Sequence, residues 1–173
     1  KDRYGGAPWT DWPDGARTRE EDALGEFRRE LTREIEFHAF TQYEFFSQWR
    51  ALKAYANARG VRVIGDVPIY VPLDSADVWA RRDVFLLDEN GVPAAVAGVP
   101  PDFFTVDGQL WGNPLYDWGA LARDGYRWWL DRLRAAAELF DAVRFDHFRG
   151  LSSYWRVPYG ETTARNGEWM SGP

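Results

Sequence analysis

Gly60-Val61-Arg62-Val63-Ile64-Gly65-Asp66 and Ala142-Val143-Arg144-Phe145-Asp146-His147 are the two stretches on which the fold turns. Each is a short run rich in β-branched or aromatic residues, and each ends on a carboxylate. Residues 61–64 lie between a glycine placed to close a helix and Gly65-Asp66, so they read as a buried strand. Residues 142–145 read as a second strand, ended by Asp146-His147.

Working outward, the sequence supplies helices before both strands. Leu24, Phe27, Leu31 and Ile35 recur at three- and four-residue steps, which predicts an amphipathic helix over 20–37. A second helix carries Phe45, Trp49, Leu52 and Ala56 on one face and stops at Gly60. A third runs over about 121–140, with Tyr126, Trp129, Leu130, Leu133, Ala137 and Phe140 together. Residues 1–19 are rich in Gly, Pro and Asp and read as loop. The stretch 67–118, full of turn formers such as Asn90-Gly91 and Gly112-Asn113-Pro114, reads as a long functional loop.

Helix, strand, carboxylate, long loop, helix, strand, carboxylate predicts an α/β fold. Its expected form is part of a (β/α)8 TIM-type barrel with a long inserted active-site loop, because barrel chemistry collects at the C-terminal ends of strands. The expected organisation is one barrel-domain piece over 1–173: a helical segment at about 20–60, a strand and long loop at about 61–118, and a helix and carboxylate strand at about 119–151. Two strands do not close an eight-stranded barrel. The chain opens on Lys1 and stops at Ser171-Gly172-Pro173, so it reads as an internal fragment. Exposed strand edges and half-covered helices predict self-association of such a piece.

Composition narrows the function. A net charge of −6, with basic residues mixed among acidic ones, argues against nucleic acid as partner. No apolar run approaches the ~20 residues that span a bilayer. The absence of cysteine fits a reducing compartment, and the expected location is the cytoplasm. Two histidines, His38 and His147, make no metal-ligand pair, and the glycines lack phosphate-loop and dinucleotide spacings, so no metal and no cofactor is expected. Ten tryptophans, several beside Gly, Asn, Asp and Pro, suit the apolar faces of sugar rings.

Three clusters carry candidate chemistry. Strand alternation puts Arg144 and Asp146 on one face, where a guanidinium keeps a carboxylate ionised as a nucleophile requires; a structural ion pair at a strand end is the alternative. Asp66 ends the other strand, where it serves either as a second carboxylate flanking a glycosidic bond or as a turn cap. In the Gly98–Pro114 stretch, Phe103, Phe104 and Trp111 offer rings, with Asp102, Gln109 and Asn113 as polar neighbours. That stretch reads as a sugar-binding lid, or else as a loop whose rings fold back into the core.

Gly65-Asp66-Val67-Pro68-Ile69-Tyr70-Val71, Asp74-Ser75-Ala76-Asp77-Val78-Trp79, the 97–118 stretch and residues 143–151 together resemble the amylomaltase (4-α-glucanotransferase) family, and the pattern continues through Tyr154-Trp155 to Gly172-Pro173. The resemblance implies a retaining transferase of the α-amylase clan, which cleaves an α-1,4 bond, holds a covalent glycosyl-enzyme and passes it to another glucan. It implies Asp146 as nucleophile, Arg144, His147 and Asp66 around the cleaved sugar, and Trp111 with Phe103-Phe104 in a flexible loop over the glucan. Asp102 and Gln109 are carried with that loop as substrate-binding candidates. The family commonly has Tyr where Phe103 stands and an acidic residue where Val106 stands.

The resemblance places the acid/base Glu and a second Asp after Pro173, so the chain is expected to be inactive alone. Glu138, Glu161 and Glu168 read as solvated charge. A glucan hydrolase of the same clan and a non-catalytic glucan-binding module are the rival readings; Arg-x-Asp-His at a strand end is a feature that a binding surface does not require.

Overall fold

The computed structural model describes residues 1–173, which form two compact units. One comprises residues 13–67 and 129–144, the other residues 1–12, 68–128 and 145–173.

In the first unit, α1 (Asp14–Arg17) and α2 (Glu21–Glu30) precede the long α3 (Thr32–Asn57). The helix boundary falls at Leu31, not in the His38 region that the 20–37 expectation implied, because Leu31 leaves helical backbone at φ −104°. Of the face expected on α3, Trp49 and Ala56 are half-buried, whereas Phe45 and Leu52 are exposed. Trp49 Nε1 donates to Leu139 O at 2.8 Å and Lys53 Nζ to Phe140 O at 3.1 Å. Two side chains of α3 thereby satisfy carbonyls that the end of α6 (Arg127–Leu139) leaves without intrahelical partners.

Strand β1 (Ile64–Pro68) pairs with β4 (Ala142–Asp146). The first strand therefore begins three residues later than expected and takes in Gly65-Asp66. It is not uniformly buried: Ile64 is 72% exposed while Gly65 and Val67 are buried. Gly65 has no room for a side chain, since a Cβ there would collide with the ring of Phe140. Asp141 ties the backbone leading into β1 to the backbone leading into β4. Its carboxylate accepts from Val63 N–H and Asn57 Nδ2, each at 2.8 Å, and these donors hold its pKa below the usual carboxylate range.

The expected third helix is two: α5 (Trp118–Arg123), and α6 from Arg127. Gly125 and Tyr126 between them both adopt left-handed backbone, at φ 70° and 57°, which no α-helix accommodates. Trp129 and Ala136 are buried, whereas Tyr126, Leu130 and Leu133 from the predicted face are exposed.

The second unit corrects the long-loop reading most. Residues 67–118 hold α4 (Ala76–Ala80), β2 (Ala95–Val99) and β3 (Gln109–Pro114). With β5 (Ser153–Pro158) and β6 (Glu168–Ser171) these strands make an antiparallel sheet in the order β3-β2-β5-β6. Val96, Val157 and Ala164 form its buried cluster, with Leu110 and Trp155 packed against it. Glu168, expected to be merely solvated, faces Arg156 across the β5–β6 pair at 3.0 Å. Residues 1–12 are likewise not plain loop: Trp9 is 1% exposed and donates through Nε1 to Leu73 O at 2.7 Å.

Candidate active site

The ladder between β2 and β3 contains a bulge that shapes the site. Val96 pairs with Pro114 and Gly98 with Leu110, so two steps on β2 span four on β3. The surplus falls on Trp111-Gly112-Asn113, and Gly112 absorbs it at φ 76°, a conformation a Cβ disfavours. Bulged residues are re-aimed, and Trp111 and Asn113 both line a cleft of about 310 Å³.

The cleft's other walls come from the last residue of β1 with the chain just past it, and from the end of β4. Pro68, Ile69, Tyr70 and Pro72 form one side, and Asp146 and His147 the other. His147 follows β4 directly in left-handed backbone, φ 54° and ψ 46°, uncommon for a residue with a Cβ. That turn starts a 3-10 helix at Phe148–Leu151, closed by Gly150 N–H donating to His147 O at 2.9 Å. Gly150 is buried against the same wall: a Cβ there would lie 2.5 Å from Ile69 Cδ1 and 3.2 Å from His147 Cδ2.

Aromatic contacts hold the cleft in place. Trp111 meets His147 edge-to-face, with centroids 4.9 Å apart and planes at 88°, and its Nε1 donates to Gln109 Oε1 at 3.0 Å. Tyr70 stacks on Tyr116 at 5.8 Å, and Tyr116 donates its hydroxyl to Ile69 O at 2.6 Å.

Charge in the cleft is simple. Asp146 is the one carboxylate among the lining residues. Burial pulls His147 below the ordinary imidazole value of 6.5; Asp146 pushes the other way, and Arg149 adds to the depression. His147 is therefore neutral at neutral pH. A depressed histidine contributes stability that is present above the unfolded value of about 6.5 and lost as pH falls through the lower folded value. An NMR titration of the His147 ring is expected to give a midpoint below 6.5, and lower still in Asp146→Asn, where the raising charge is gone. A midpoint at or above 6.5 contradicts this placement.

Of the residues expected from the sequence, the structure brings Trp111, Asp146 and His147 to one cleft. Asp66 and Arg144 instead form a two-point fork, Nε to Oδ1 at 2.6 Å and Nη2 to Oδ2 at 3.0 Å, which holds Asp66 below the usual carboxylate range. Same-face alternation suggested Arg144 beside Asp146; a neighbouring strand supplied the partner. Gln109 reaches the cleft only through Trp111.

Phe103 and Phe104 stand 96% and 89% exposed, against the reading that folds them into the core, and pack edge-to-face on each other at 5.7 Å. Asp102 is a structural acceptor: its Oδ1 takes the N–H groups of Phe104 and Thr105 at 2.8 and 2.7 Å, fixing the turn beneath those rings. Tyr70 and Ile69 were passed over as site residues. Their signal lay in the Pro68-x-x-x-Pro72 spacing, which stiffens the exit from β1.

The model of the 4-alpha-glucanotransferase family matches residues 1–173. The chain is 54% identical over 173 residues to a 4-alpha-glucanotransferase of Thermus thermophilus, covering all of this chain and 35% of that protein. It is 51% identical over 174 residues to one of Streptococcus pneumoniae, again over all of this chain and 34% of the other. Among solved structures, amylomaltase from Streptococcus agalactiae in complex with acarbose superposes with a TM-score of 0.94 at 43% identity, covering all of this chain and 35% of that one. The chain thus spans about a third of the length of the curated relatives it matches. No helix is long and apolar enough to cross a membrane.

Proposed function

Because the chain belongs to the 4-alpha-glucanotransferase family, we propose that it carries the nucleophile side of a site that transfers α-1,4-glucan segments between maltodextrins. The observation that carries this reading is the placement of Asp146, at the end of β4, in a cleft walled by Trp111, Tyr70 and His147. A flat indole and a hydroxyl-bearing ring beside a carboxylate match what a glucosyl unit presents, apolar C–H faces and a polar rim.

In the proposed reaction an Asp146 oxygen forms a bond to the anomeric carbon as the glycosidic C–O bond breaks, and the leaving 4-oxygen takes a proton from a general acid. The 4-hydroxyl of a second glucan then attacks the glycosyl-enzyme, returning its proton to the same group and freeing Asp146. Phe103 and Phe104, exposed on a turn tied by Asp102, are suited to stack on that acceptor.

On the family resemblance, we assign the acid/base Glu and a second Asp to sequence beyond Pro173. The 173-residue chain is then one part of a (β/α)8 catalytic domain and does not turn over alone. The family resemblance assigns Asp66 and Arg144, joined by their fork, to contacts with the cleaved sugar.

Incubation of the full-length enzyme with maltotriose tests the reading. Glucose together with a ladder of maltodextrins longer than the substrate is expected. Products no longer than maltose would instead identify a hydrolase, and binding without any turnover a glucan-binding module.

A further inference from the structure

Phe103 and Phe104, the rings offered to the acceptor glucan, bury very little of their surface and pack edge-to-face on each other. Apolar burial therefore does little to hold them, and the placement of their turn rests on its polar ties. Within the turn, Asp102 accepts from Phe104 and Thr105, and Thr105 O accepts from Asp102 N–H at 3.0 Å and Gly108 N–H at 3.1 Å. These bonds set its shape but not its place. Its place is set from outside, by the segment between β5 and β6. Ala164 N–H donates to Asp107 O at 2.9 Å, Arg165 Nε donates to Val106 O at 3.1 Å, and the same nitrogen lies 2.7 Å from Asp107 Oδ1.

That segment is itself well anchored. Ala164 is fully buried, its carbonyl accepts from Trp155 Nε1 at 2.8 Å, and a Cβ on Gly167 would collide with the same indole. Gly108, at the foot of the turn, has no room for a Cβ between Val99 O and Ala164, so foot and anchor are in close contact. Arg165 thus reaches from a packed part of the sheet to a turn that has no core of its own.

Resting on the transfer reading above, we infer that Arg165 is a positioning residue: it holds the Phe103–Phe104 turn where it meets the acceptor, and so sets how the glycosyl-enzyme divides between a sugar hydroxyl and water. The physical reason is an ordering cost. Water needs no built site, whereas an acceptor is held well only if the rings that stack on it are already in position; a turn that has to be ordered on binding loses that much affinity. Formation of the glycosyl-enzyme takes place at Asp146 and does not use the tie. Arg165 and Asp107 are each more than half exposed, so the pair adds little to global stability and its effect is local.

Transfer conserves the number of reducing ends and hydrolysis adds one per event, so both are counted in one maltotriose incubation. In the full-length enzyme Arg165→Met, which keeps an unbranched stem and removes the donors, is expected to raise the ratio of hydrolysis to transfer about fivefold, the scale of one hydrogen bond and one exposed ion pair. The KM for glucose as acceptor should rise. The kcat/KM for fluoride release from α-maltotriosyl fluoride, which reports only the steps up to bond cleavage, should hold. Arg165→Lys keeps a positive charge opposite Asp107 and should recover most of the wild-type ratio. Amides of residues 102–108 should exchange with deuterium faster in Arg165→Met, at an unchanged unfolding midpoint.

A wild-type ratio in Arg165→Met overturns the inference, whether or not the turn loosens. So does a raised ratio without faster exchange at 102–108, without recovery in Arg165→Lys, or with a lowered unfolding midpoint, since the effect would then come from elsewhere in the fold. The two levels of argument separate in the wild-type incubation. If it yields no ladder of longer maltodextrins, the transfer reading fails and takes this one with it; if the ladder forms and Arg165→Met leaves it unchanged, only the role of Arg165 fails.

Discussion

Asp146→Asn is expected to lower maltotriose disproportionation by the full-length enzyme by about four orders of magnitude or more, the scale on which removal of a covalent nucleophile is felt. The substitution keeps the volume of the side chain and replaces one carboxylate oxygen by an amide nitrogen. An amide neither attacks the anomeric carbon usefully nor leaves from it. The backbone around it should hold, because β4 is paired in the sheet with β1 and the turn at His147 is closed by Gly150 N–H on His147 O.

Substrate affinity should therefore survive where turnover does not. The measurement is initial rate against maltotriose, paired with maltodextrin binding to the variant. A loss of less than tenfold would remove Asp146 from the chemistry. Loss of binding together with rate would mean that the substitution disturbed the cleft, and the intact His147 ring signal checks that.

Trp9→Ala is the largest expected effect on folding. Trp9 is 1% exposed; its indole N–H is spent on Leu73 O at 2.7 Å and its backbone N–H on Asp74 Oδ1 at 3.2 Å. Its ring packs onto Gly91, where a Cβ would collide with the indole, and the Arg82 guanidinium lies 5.5 Å from the ring centroid. Truncating a buried Trp of this kind costs about 3–5 kcal/mol, from lost burial plus the cavity left behind.

The site should notice as well. Leu73 and Asp74 follow Pro72, which walls the cleft, so releasing them slackens the chain that carries Tyr70. A lower denaturation midpoint together with a raised KM for maltotriose is expected. A midpoint within about 1 kcal/mol of wild type would mean that the indole is replaceable by solvent or by neighbouring rings.

Much of the site was legible because its signal is local. A short apolar run ending in Asp-His announces a strand whose last residue faces a mouth, and residues 142–146 form that strand; the run before Gly-Asp is strand only from Ile64, and β1 continues past Asp66 to Pro68. Trp111 was legible for a different reason: an indole set between Gln109 and Gly112-Asn113-Pro114 interrupts no periodic pattern, so it is not a core residue by default.

The antiparallel sheet was not legible. β2 is Ala95-Val96-Ala97-Gly98-Val99, nearly all buried, so it lacks the alternation by which a half-exposed strand is recognised. Its partner β3 contains Gly112, Asn113 and Pro114, which locally signal a turn, and only the bulge reconciles them with a strand. The helix faces were misjudged by a residue or so. Leu31 and Gly125-Tyr126 break the periodicity where backbone angles, not apolar spacing, decide the boundary.

By itself the sequence determined the alternation of helix and strand, the carboxylate at the end of β4 and the aromatic character of the segment before it, since each follows from residue types within a few positions. The tertiary structure alone decided which groups meet. Arg144 forks onto Asp66, 78 residues away, and Trp111 meets His147 edge-to-face in one cleft. Such pairings depend on directional contacts a few ångströms long between distant parts of the chain, and local periodicity carries no information about them.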